Sequence, residues 1–323
     1  MDLSKVLTPE FLESLRKIQL PWREDQPLDW AVVANQFFGP SSNRKEWYDL
    51  TLEHAIKPIS TIGVEKVVDI DFMQFLPSPE TKDFPSKALG LLVLFDQAPR
   101  IILSGVNARY SNGYFDLLAN KLVRQLVAIP EPHSPFSIER LMKQGWSFDY
   151  ALTAIIWFTA PLVHSESMED QNRQVEYSWT MRKVVEEHTG KTDPHRATMD
   201  EDSKDIYAFP RTLMKEMPRW VGTKIDEFMF WLLRVFLVHV PIIEKFGRYP
   251  YRNNALGITS TDEEVQYLED TEHFGMLEDE ASINKIREDV EAGIWSPLQN
   301  EPEFSGSGGV VLPNPWEAVM SRK

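Results

Sequence analysis

Apolar residues recur along most of this chain at the three- and four-residue spacing of an α-helix, and this period is the feature that most constrains its fold. Stretches in which apolar and polar residues alternate, as they do in a strand, are few and short. The sequence therefore predicts an all-α fold. Hydrophobic residues make up 42% of the 323 residues, which is enough material for a packed core.

Helix start and stop signals divide this pattern into segments. A first helix is predicted to begin at Thr8, where Thr-Pro-Glu offers a cap and a proline at the first helical position, and to run to about Ile18. Proline is expected to kink one later helix at Pro99 and to end another near Pro161. The further predicted helices are Leu28–Phe38, Ser42–Ile56, Lys87–Leu103, Tyr114–Ile129, Ile138–Gln144, Phe148–Ala160, Ser167–His188, Asp226–Phe246 and 260–268.

Two parts of the chain fall outside the helical pattern. Residues 57–84 are predicted to be irregular, and residues 190–210 are polar and expected to form a mobile surface excursion. We divide the whole chain into an N-terminal extension over 1–30, a helical domain over 31–270, and an acidic, weakly periodic C-terminal extension with a flexible tail over 271–323.

The acidic balance of the chain limits its partners. It has 49 acidic against 34 basic residues and a formal charge of −15, which repels nucleic-acid phosphates and anionic lipid headgroups. Without a cysteine it can form neither a disulfide nor a thiolate site. The first twenty residues lack the pattern of a signal peptide, and the apolar runs at 88–95 and 228–243 are too short or too polar to cross a membrane. We expect a cytoplasmic protein that binds neither nucleic acid nor membranes.

The first candidate for chemistry is the string Phe-Asp-Gln-Ala-Pro-Arg over residues 95–100. Asp96 and Arg100 lie one helical turn apart in an otherwise apolar helix, so the two charges can pair. In one interpretation they form an internal ion pair that fixes the kink, and removal of Arg100 would leave Asp96 unpaired. In the other interpretation Asp96, Gln97 and Arg100 line a pocket, in which the guanidinium binds an anionic or carbonyl oxygen.

The second candidate is Pro-Leu-Val-His-Ser-Glu over residues 161–166, at the corner between two predicted helices. His164 and Glu166, with Gln171 about one turn further on, bring a base, an acid and an amide donor into one small region. The alternative is structural, with Glu166 at the positive end of the next helix and His164 packed in the core. One histidine with scattered carboxylates does not define a metal site, and no metal or other cofactor is expected.

The third candidate is the polar loop over residues 246–254, which follows an apolar helix. Arg248, Tyr249, Arg252 and Asn253 would give it a donor-rich wall for a negatively charged or oxygen-rich ligand. The alternative is a structural clamp, in which the two arginines bind carbonyl oxygens at a helix end and acidic side chains.

Taken together, the strings FDQAPR, PLVHSE followed by Gln171, and FGRYPYRNNALG resemble the bacterial and fungal family catalogued as domain of unknown function 924, over roughly residues 32–270. Phe37-Phe38-Gly39 before Trp47 is similar to the opening segment of that family. The resemblance implies an all-helical, TPR-like fold, which we expect to enclose a central cavity. It implies no settled activity.

Three residues depart from the pattern of the family: Ala98, Tyr251 where histidine is common, and Gln36 where tryptophan is common. The additions over 1–30, near 190–225 and beyond 270 resemble fungal members, some of which we expect to serve specialised metabolism.

Two functions are compatible with these motifs. The leading hypothesis is an enzyme for a small, oxygen-rich or anionic organic molecule, in which Asp96, His164 and Glu166 handle protons and the arginines stabilise a developing oxyanion. Since no phosphate-binding loop, dinucleotide fingerprint or nucleophile elbow is present, we expect cofactor-free hydrolysis, isomerisation or cyclisation. The alternative is a helical, TPR-like interaction module that binds a peptide or protein partner. The sequence leaves the oligomeric state open.

Overall fold

A computed structural model of the chain describes residues 2–38, 43–218, 221–271 and 279–300, and these residues contain helices and no strand. The predicted all-α fold is confirmed. In chain order the α-helices are α1 (Pro9–Gln19), α2 (Trp30–Phe38), α3 (Arg44–Thr51), α4 (Lys57–Ser60), α5 (Val64–Val67), α6 (Phe84–Ile102), α7 (Asp116–Val127), α8 (Ile138–Lys143), α9 (Phe148–His164), α10 (Met168–Thr189), α11 (Met199–Asp202), α12 (Ala208–Lys215), α13 (Ile225–Leu237), α14 (His239–Phe246), α15 (Asn253–Leu256), α16 (Asp262–Asp270) and α17 (Glu280–Glu291).

The N-terminal extension is built into the core. Helix α1 begins after Thr8, whose hydroxyl accepts a hydrogen bond from Phe11 N at 3.3 Å, as the sequence predicts. This helix lies directly against α6, because a Cβ added to Gly90 would stand 2.0 Å from the carbonyl oxygen of Leu12. Only glycine permits so close an approach of the two backbones. Leu12 and Leu15 are fully buried in the same hydrophobic core as α6, α7, α9 and α13.

Two apolar clusters meet at the polar motifs. The main core includes α6, α7 and α9, which pack against one another, while α10 packs against α9, α13 and α14. A smaller cluster contains Ile206, Ile242, Ile243, Tyr249 and Tyr267. The two are joined where the Tyr249 hydroxyl donates a hydrogen bond to the carbonyl oxygen of Val163 in the main core, at 2.5 Å.

Two predictions about helix ends are wrong, and proline explains both. Helix α9 does not end near Ala160 but continues through Pro161 to His164. Pro161 lacks a donor for the carbonyl of residue 157, and the helix tolerates that loss close to its end. The predicted helix Asp226–Phe246 is divided at Val238 into α13 and α14. Pro241 is the third residue of α14, where a backbone N–H has no partner within the helix.

Two π-helical turns interrupt segments that the sequence presents as regular helices. The predicted helix Ser42–Ile56 consists of α3 followed by a π turn over Leu52–Ile56. The predicted helix Tyr114–Ile129 consists of a π turn over Tyr110–Phe115 followed by α7. A single wide turn changes the spacing of apolar residues too little to be read from their period.

One prediction of irregular structure also needs correction, and a weakly periodic segment contains a helix. Residues 57–84 contain α4, α5 and a 3₁₀ turn over Phe72–Phe75. Within the weakly periodic C-terminal extension, α17 forms and packs against α15. These elements are short or bury few residues, so they leave no clear periodic signal. Residues 301–323, the predicted tail, lie outside the described residues.

The polar segment 190–210 is not purely a surface excursion. Asp193 and Met199 are buried, and α11 lies within this segment. The Asp193 carboxylate pairs with Arg182 of α10, whose Nε lies 2.6 Å from Oδ2. Asp193 can be buried here because Arg182 of the neighbouring helix neutralises its charge. The polarity of segment 190–210 alone does not show that such a partner exists.

Glycine follows both α10 and α14. Gly190 and Gly247 follow the two helices with φ angles of 70° and 69°, the left-handed conformation that glycine adopts readily. Ser167 precedes α10, and its side chain makes no capping hydrogen bond. Among the described residues, no helix is both long enough and apolar enough to span a membrane.

Candidate functional site

The Asp96 carboxylate lies buried in α6 and has three polar neighbours. Its Oδ1 accepts a hydrogen bond from His164 Nδ1 at 2.7 Å, and its Oδ2 accepts one from the Gln97 side chain. Arg100 Nε lies 3.7 Å from Oδ1, so the predicted pair one turn apart is present. Burial alone raises the pKa of Asp96, but the charges of His164 and Arg100 and the two hydrogen bonds outweigh it and lower the pKa to about 2. Asp96 is therefore ionised near neutral pH.

An ionised Asp96 fixes the tautomer of His164. A carboxylate can only accept a hydrogen bond, so the proton of the neutral ring sits on Nδ1 and the lone pair sits on Nε2. His164 Nε2 has no hydrogen-bond partner among the described residues, and 25% of the side chain is exposed. Burial and the charge of Arg100 lower the pKa of His164 below its ordinary value, although Asp96 raises it. The ring is thus a neutral base with its free nitrogen accessible.

Asp116, the first residue of α7, connects α6 to the loop after α14. Its Oδ1 binds Arg100 Nη2, and its Oδ2 lies 3.3 Å from Arg252 Nη1. The π turn over Tyr110–Phe115 ends at the residue before it and so sets its direction. Because Asp96 also binds His164, removal of Arg100 would not leave Asp96 unpaired, contrary to the sequence-based expectation.

Glu166 brings the corner after α9 into the same network. Its Oε1 accepts a hydrogen bond from Tyr249 N at 2.9 Å and lies 3.9 Å from Arg252 Nη1. The guanidinium of Arg252 is buried and lies over the ring of Tyr249, with its Cζ 4.6 Å from the ring centre. Asp96 and His164 therefore touch, and Arg252 is joined to them through Asp116 and Arg100. The three sequence motifs meet in one continuous polar network, although they are far apart in the chain.

Gln171 and Tyr249 hold this corner together from inside. Both are completely buried. Gln171 Nε2 donates to the carbonyl oxygens of Val163 at 3.1 Å and Ser165 at 2.7 Å, and to the Tyr249 hydroxyl at 2.8 Å. These contacts satisfy carbonyl groups at the end of α9, which fixes the position of the neighbouring His164.

Arg248 and Asn253 connect the loop to the segment that begins α16. The Arg248 guanidinium forms two hydrogen bonds with Glu264, Nε to Oε1 at 2.7 Å and Nη2 to Oε2 at 2.9 Å. Asn253 Nδ2 donates to Ser260 Oγ at 3.0 Å. Glu264 also closes the capping box of α16 with Thr261, so these side chains anchor the loop to that helix.

Three residues of the network were not among the predicted site residues: Asp116, His239 and Tyr251. In the sequence Asp116 resembles any acid in the first turn of a helix, and His239 interrupts an apolar run. His239 Nδ1 donates to the carbonyl oxygen of Val235 at 2.8 Å. Burial first, and then the charge of His164, lower the pKa of His239 to about 4. In the sequence, Tyr251 stands out only because histidine is common at this position in the family that the chain resembles.

Within the described residues, neither a metal-binding group nor any of the five surface crevices below coincides with this network. In the described part of the chain, no three His, Cys, Asp or Glu residues are grouped closely enough to hold a metal ion. Five surface crevices of 310 to 760 Å³ are lined by other residues. What distinguishes this network is therefore the arrangement of its side chains.

Comparison with known proteins gives one match. A family model described as "Bacterial protein of unknown function (DUF924)" matches residues 37–272, more than two thirds of the chain. No curated protein and no solved structure matches the chain.

Proposed function

The chain belongs to the DUF924 family, whose function is unknown, and we propose that the protein is a cofactor-independent enzyme that acts on a small oxygen-bearing organic molecule by acid–base chemistry. The observation that carries this proposal is the 2.7 Å contact between Asp96 Oδ1 and His164 Nδ1, together with the accessible Nε2 on the other side of the ring. This arrangement is the usual one for a histidine that acts as a general base.

In this proposal His164 Nε2 removes a proton from the substrate or from a bound water molecule. The imidazolium that results carries its positive charge next to Asp96, which lowers the energy of the charged ring and keeps it oriented. The proton is then returned to another atom of the substrate or to a leaving group. Hydrolysis, isomerisation and cyclisation all use this sequence of proton transfers.

Arg100 is the group best placed to stabilise negative charge on a substrate oxygen. Its Nη2 binds Asp116, while its Nη1 donates no hydrogen bond within the described residues and the side chain is partly exposed. Arg252 is instead buried between Asp116 and Glu166. One available guanidinium nitrogen suits a single carbonyl or alkoxide oxygen, and its hydrogen bond strengthens as charge develops there.

The charge balance favours an oxygen-rich substrate over an anionic one. Asp96, Asp116 and Glu166 bring three carboxylates to the network, against the two guanidinium groups of Arg100 and Arg252. With neutral His164, the network carries an excess of negative charge. Such a site repels a strongly anionic ligand, so we favour an uncharged ester, lactone, ketone or alcohol.

The test compares His164→Gln with His188→Gln. Glutamine keeps the size and polarity of the side chain but removes the base. His188 stacks on Phe148 at 3.8 Å near the other end of α10, about 20 residues or roughly 30 Å along the helix from the site. Each purified protein is incubated with a panel of esters, lactones and ketones and with a small-molecule cell extract, in light and in heavy water, and mass spectrometry records products and deuterium uptake.

We expect at least one compound to be converted, or to exchange a proton for deuterium, with the natural protein and with His188→Gln. His164→Gln should slow that reaction by about 10²–10⁴-fold, the usual contribution of a general base. Equal rates with both variants would exclude His164 as the base and contradict the proposal.

The cellular setting is part of the same proposal. The acidic composition and the absence of cysteine suit a cytoplasmic enzyme, and segments outside residues 37–272 would adapt it to specialised metabolism of the fungal kind.

A further inference from the structure

The C-terminal segment 279–300 lies beyond residues 37–272, the part of the chain that matches the family model. Its helix α17 packs against α15, which follows Arg252, and against the 3₁₀ turn Gly105–Asn107. After α17 the chain continues without a helix over residues 292–300, which we call the strap. Helix α17 and the strap therefore lie next to elements that carry the site.

The backbone of the strap is bound by side chains that lead into the π turn before α7. Arg109 Nη1 donates to the carbonyl oxygen of Ile294 at 2.6 Å, and the Tyr110 hydroxyl donates to that of Ser296 at 3.0 Å. In the other direction, Ser296 N donates to the buried carboxylate of Asp289 in α17 at 3.1 Å. The strap is thereby tied both to the π turn and to α17.

Trp295 is the side chain of the strap that packs on the π turn. Its ring lies edge-on to Tyr110, with 5.0 Å between ring centres, and the Cζ atom of Arg109 lies 4.1 Å from its ring centre. A Cβ added to Gly113 would stand 3.2 Å from Trp295 Cη2 and 3.1 Å from Leu256 Cδ2. The strap and α15 therefore meet against the middle of the π turn.

These contacts act on both members of one ion pair of the site. The π turn ends directly before Asp116, and α15 begins directly after Arg252. Helix α17 lies close to the end of α15, because a Cβ added to Gly257 would stand 2.8 Å from Val290 Cγ2. The 3.3 Å separation between Asp116 Oδ2 and Arg252 Nη1 is therefore supported from two sides by residues 279–300.

We propose that Trp295 is a positioning residue of the site. It packs on the π turn and so holds Asp116, whose other oxygen binds Arg100 Nη2 and thereby orients the guanidinium toward the substrate oxygen. This inference rests on the proposed function. A displacement of about 1 Å at such a group can lower the rate by about 10²-fold, so a residue remote from the reacting atoms can matter to catalysis.

The experiment compares Trp295→Ala with Trp179→Ala, and Trp295→Phe tests rescue by a smaller aromatic ring. Trp179 is the matched control, because its ring also lies against a guanidinium, with Arg182 Cζ 4.5 Å from the ring centre, but it belongs to α10. Turnover of the compound identified with His164→Gln gives kcat and KM. Thermal melting checks the fold, and hydrogen–deuterium exchange is followed over residues 110–119.

Trp295→Ala should lower kcat by about 10–10²-fold and leave KM almost unchanged, since the orientation of Arg100 matters most when charge develops on the substrate oxygen. Amide exchange over residues 110–119 should become faster because the π turn opens more often. Trp295→Phe should recover most of the lost kcat, and Trp179→Ala should keep the natural kcat and the natural exchange over these residues.

A double-mutant cycle tests whether the effect passes through Asp116. Asp116→Asn keeps the size of the side chain but removes the charge that binds Arg100. If Trp295 acts through Asp116, adding Trp295→Ala to Asp116→Asn should lower kcat by less than about twofold further. Losses of kcat that multiply would mean that the two residues act independently, and this would overturn the inference.

A natural kcat in folded Trp295→Ala, or natural exchange over residues 110–119, would also overturn the inference. If Trp295→Ala does not fold, Trp295→Leu replaces it and is judged by the same outcomes. In each of these cases a slow His164→Gln variant still supports the proposed function. Full activity of His164→Gln would instead refute the proposed function and, with it, the role of Trp295 in catalysis.

Discussion

Asp96 and Asp193 are both buried aspartates that pair with a nitrogen of a side chain from a helix, but the two pairs differ in what surrounds them. The side chains of Arg182 and Asp193 have no exposed surface. Arg182 is covered by the ring of Trp179, 4.5 Å from its Cζ, and its Nη2 lies 3.3 Å from Met199 Sδ. Asp96 instead pairs with His164, whose side chain is 25% exposed.

This difference separates a pair that holds structure from one that can do chemistry. The closed pair joins α10 to the segment before α11, and a substrate has no access to it. The open pair is held as firmly on its buried side but leaves His164 Nε2 without a protein partner. Burial of a charged pair therefore does not indicate function, whereas one unpartnered, accessible atom at its end does.

The largest effect is expected from His164→Ala, which should lower turnover by about 10²–10⁴-fold and reduce stability little. The ring lies at the end of α9 and is partly exposed, so its removal opens no large cavity, and Asp96 keeps Gln97 and Arg100. Turnover and thermal melting of the same preparations measure the two effects. Full activity would remove His164 from the mechanism, and a folded variant that loses a protein partner would favour an interaction module.

Arg182→Ala should show the opposite pattern. It leaves Asp193 as an unpaired charge in the interior, which typically costs roughly 3–5 kcal/mol of stability. Denaturant unfolding measures this loss, and turnover at a temperature where the variant is folded should be close to natural. A loss below about 1 kcal/mol would mean that the segment around Asp193 adds little to stability, as its polarity suggested.

Acid sensitivity should arise from the open region. The pKa of His239 is about 4 in the folded chain, whereas the ordinary value is 6.5, so between these pH values the unfolded chain binds a proton that the folded chain does not. Stability therefore falls as pH drops from 6.5 to 4, by up to about 1.4 kcal/mol per pH unit. His239→Gln should flatten this slope in urea titrations, while Arg182→Ala should keep it. An unchanged slope in His239→Gln would show that His239 titrates normally.

The smallest effect is expected at a surface pair. Lys143 and Glu139 lie one turn apart on α8, and their side chains are 72% and 75% exposed. Water and salt screen such a pair, so Lys143→Ala should leave the unfolding free energy almost unchanged. The same urea experiment measures it beside Arg182→Ala. A loss comparable to that of Arg182→Ala would show that burial does not set the strength of these pairs.

The sequence was sufficient to predict the helical fold and the three segments that contribute to the site. Apolar periodicity located most helices, and the three polar motifs stood out because charged groups in apolar helices need partners. Asp96, Arg100, His164, Glu166 and Arg252 do lie in one network.

The individual partners could not be read from the sequence. Asp116 binds Arg100 and Arg252 across the fold, and nothing local distinguishes it from an acid that begins a surface helix. Asp193 was assigned to a surface excursion for the same reason, since its partner Arg182 belongs to another element. Contacts between distant segments depend on packing, and packing leaves no periodic signal in either segment.

In the π turn over Tyr110–Phe115, whose residues are mostly buried, the number of residues matters as well as their identity. Each helical residue turns the chain by about 100°, so the number of residues before Asp116 decides which way its carboxylate points. Deleting one residue, such as Gly113, would rotate Asp116 away from Arg100 and Arg252 without altering any side chain of the site. Among natural variants of this protein, insertions and deletions in the turn should therefore be rarer than substitutions. Only a change in the number of residues rotates the side chains of α7 relative to the residues before the turn.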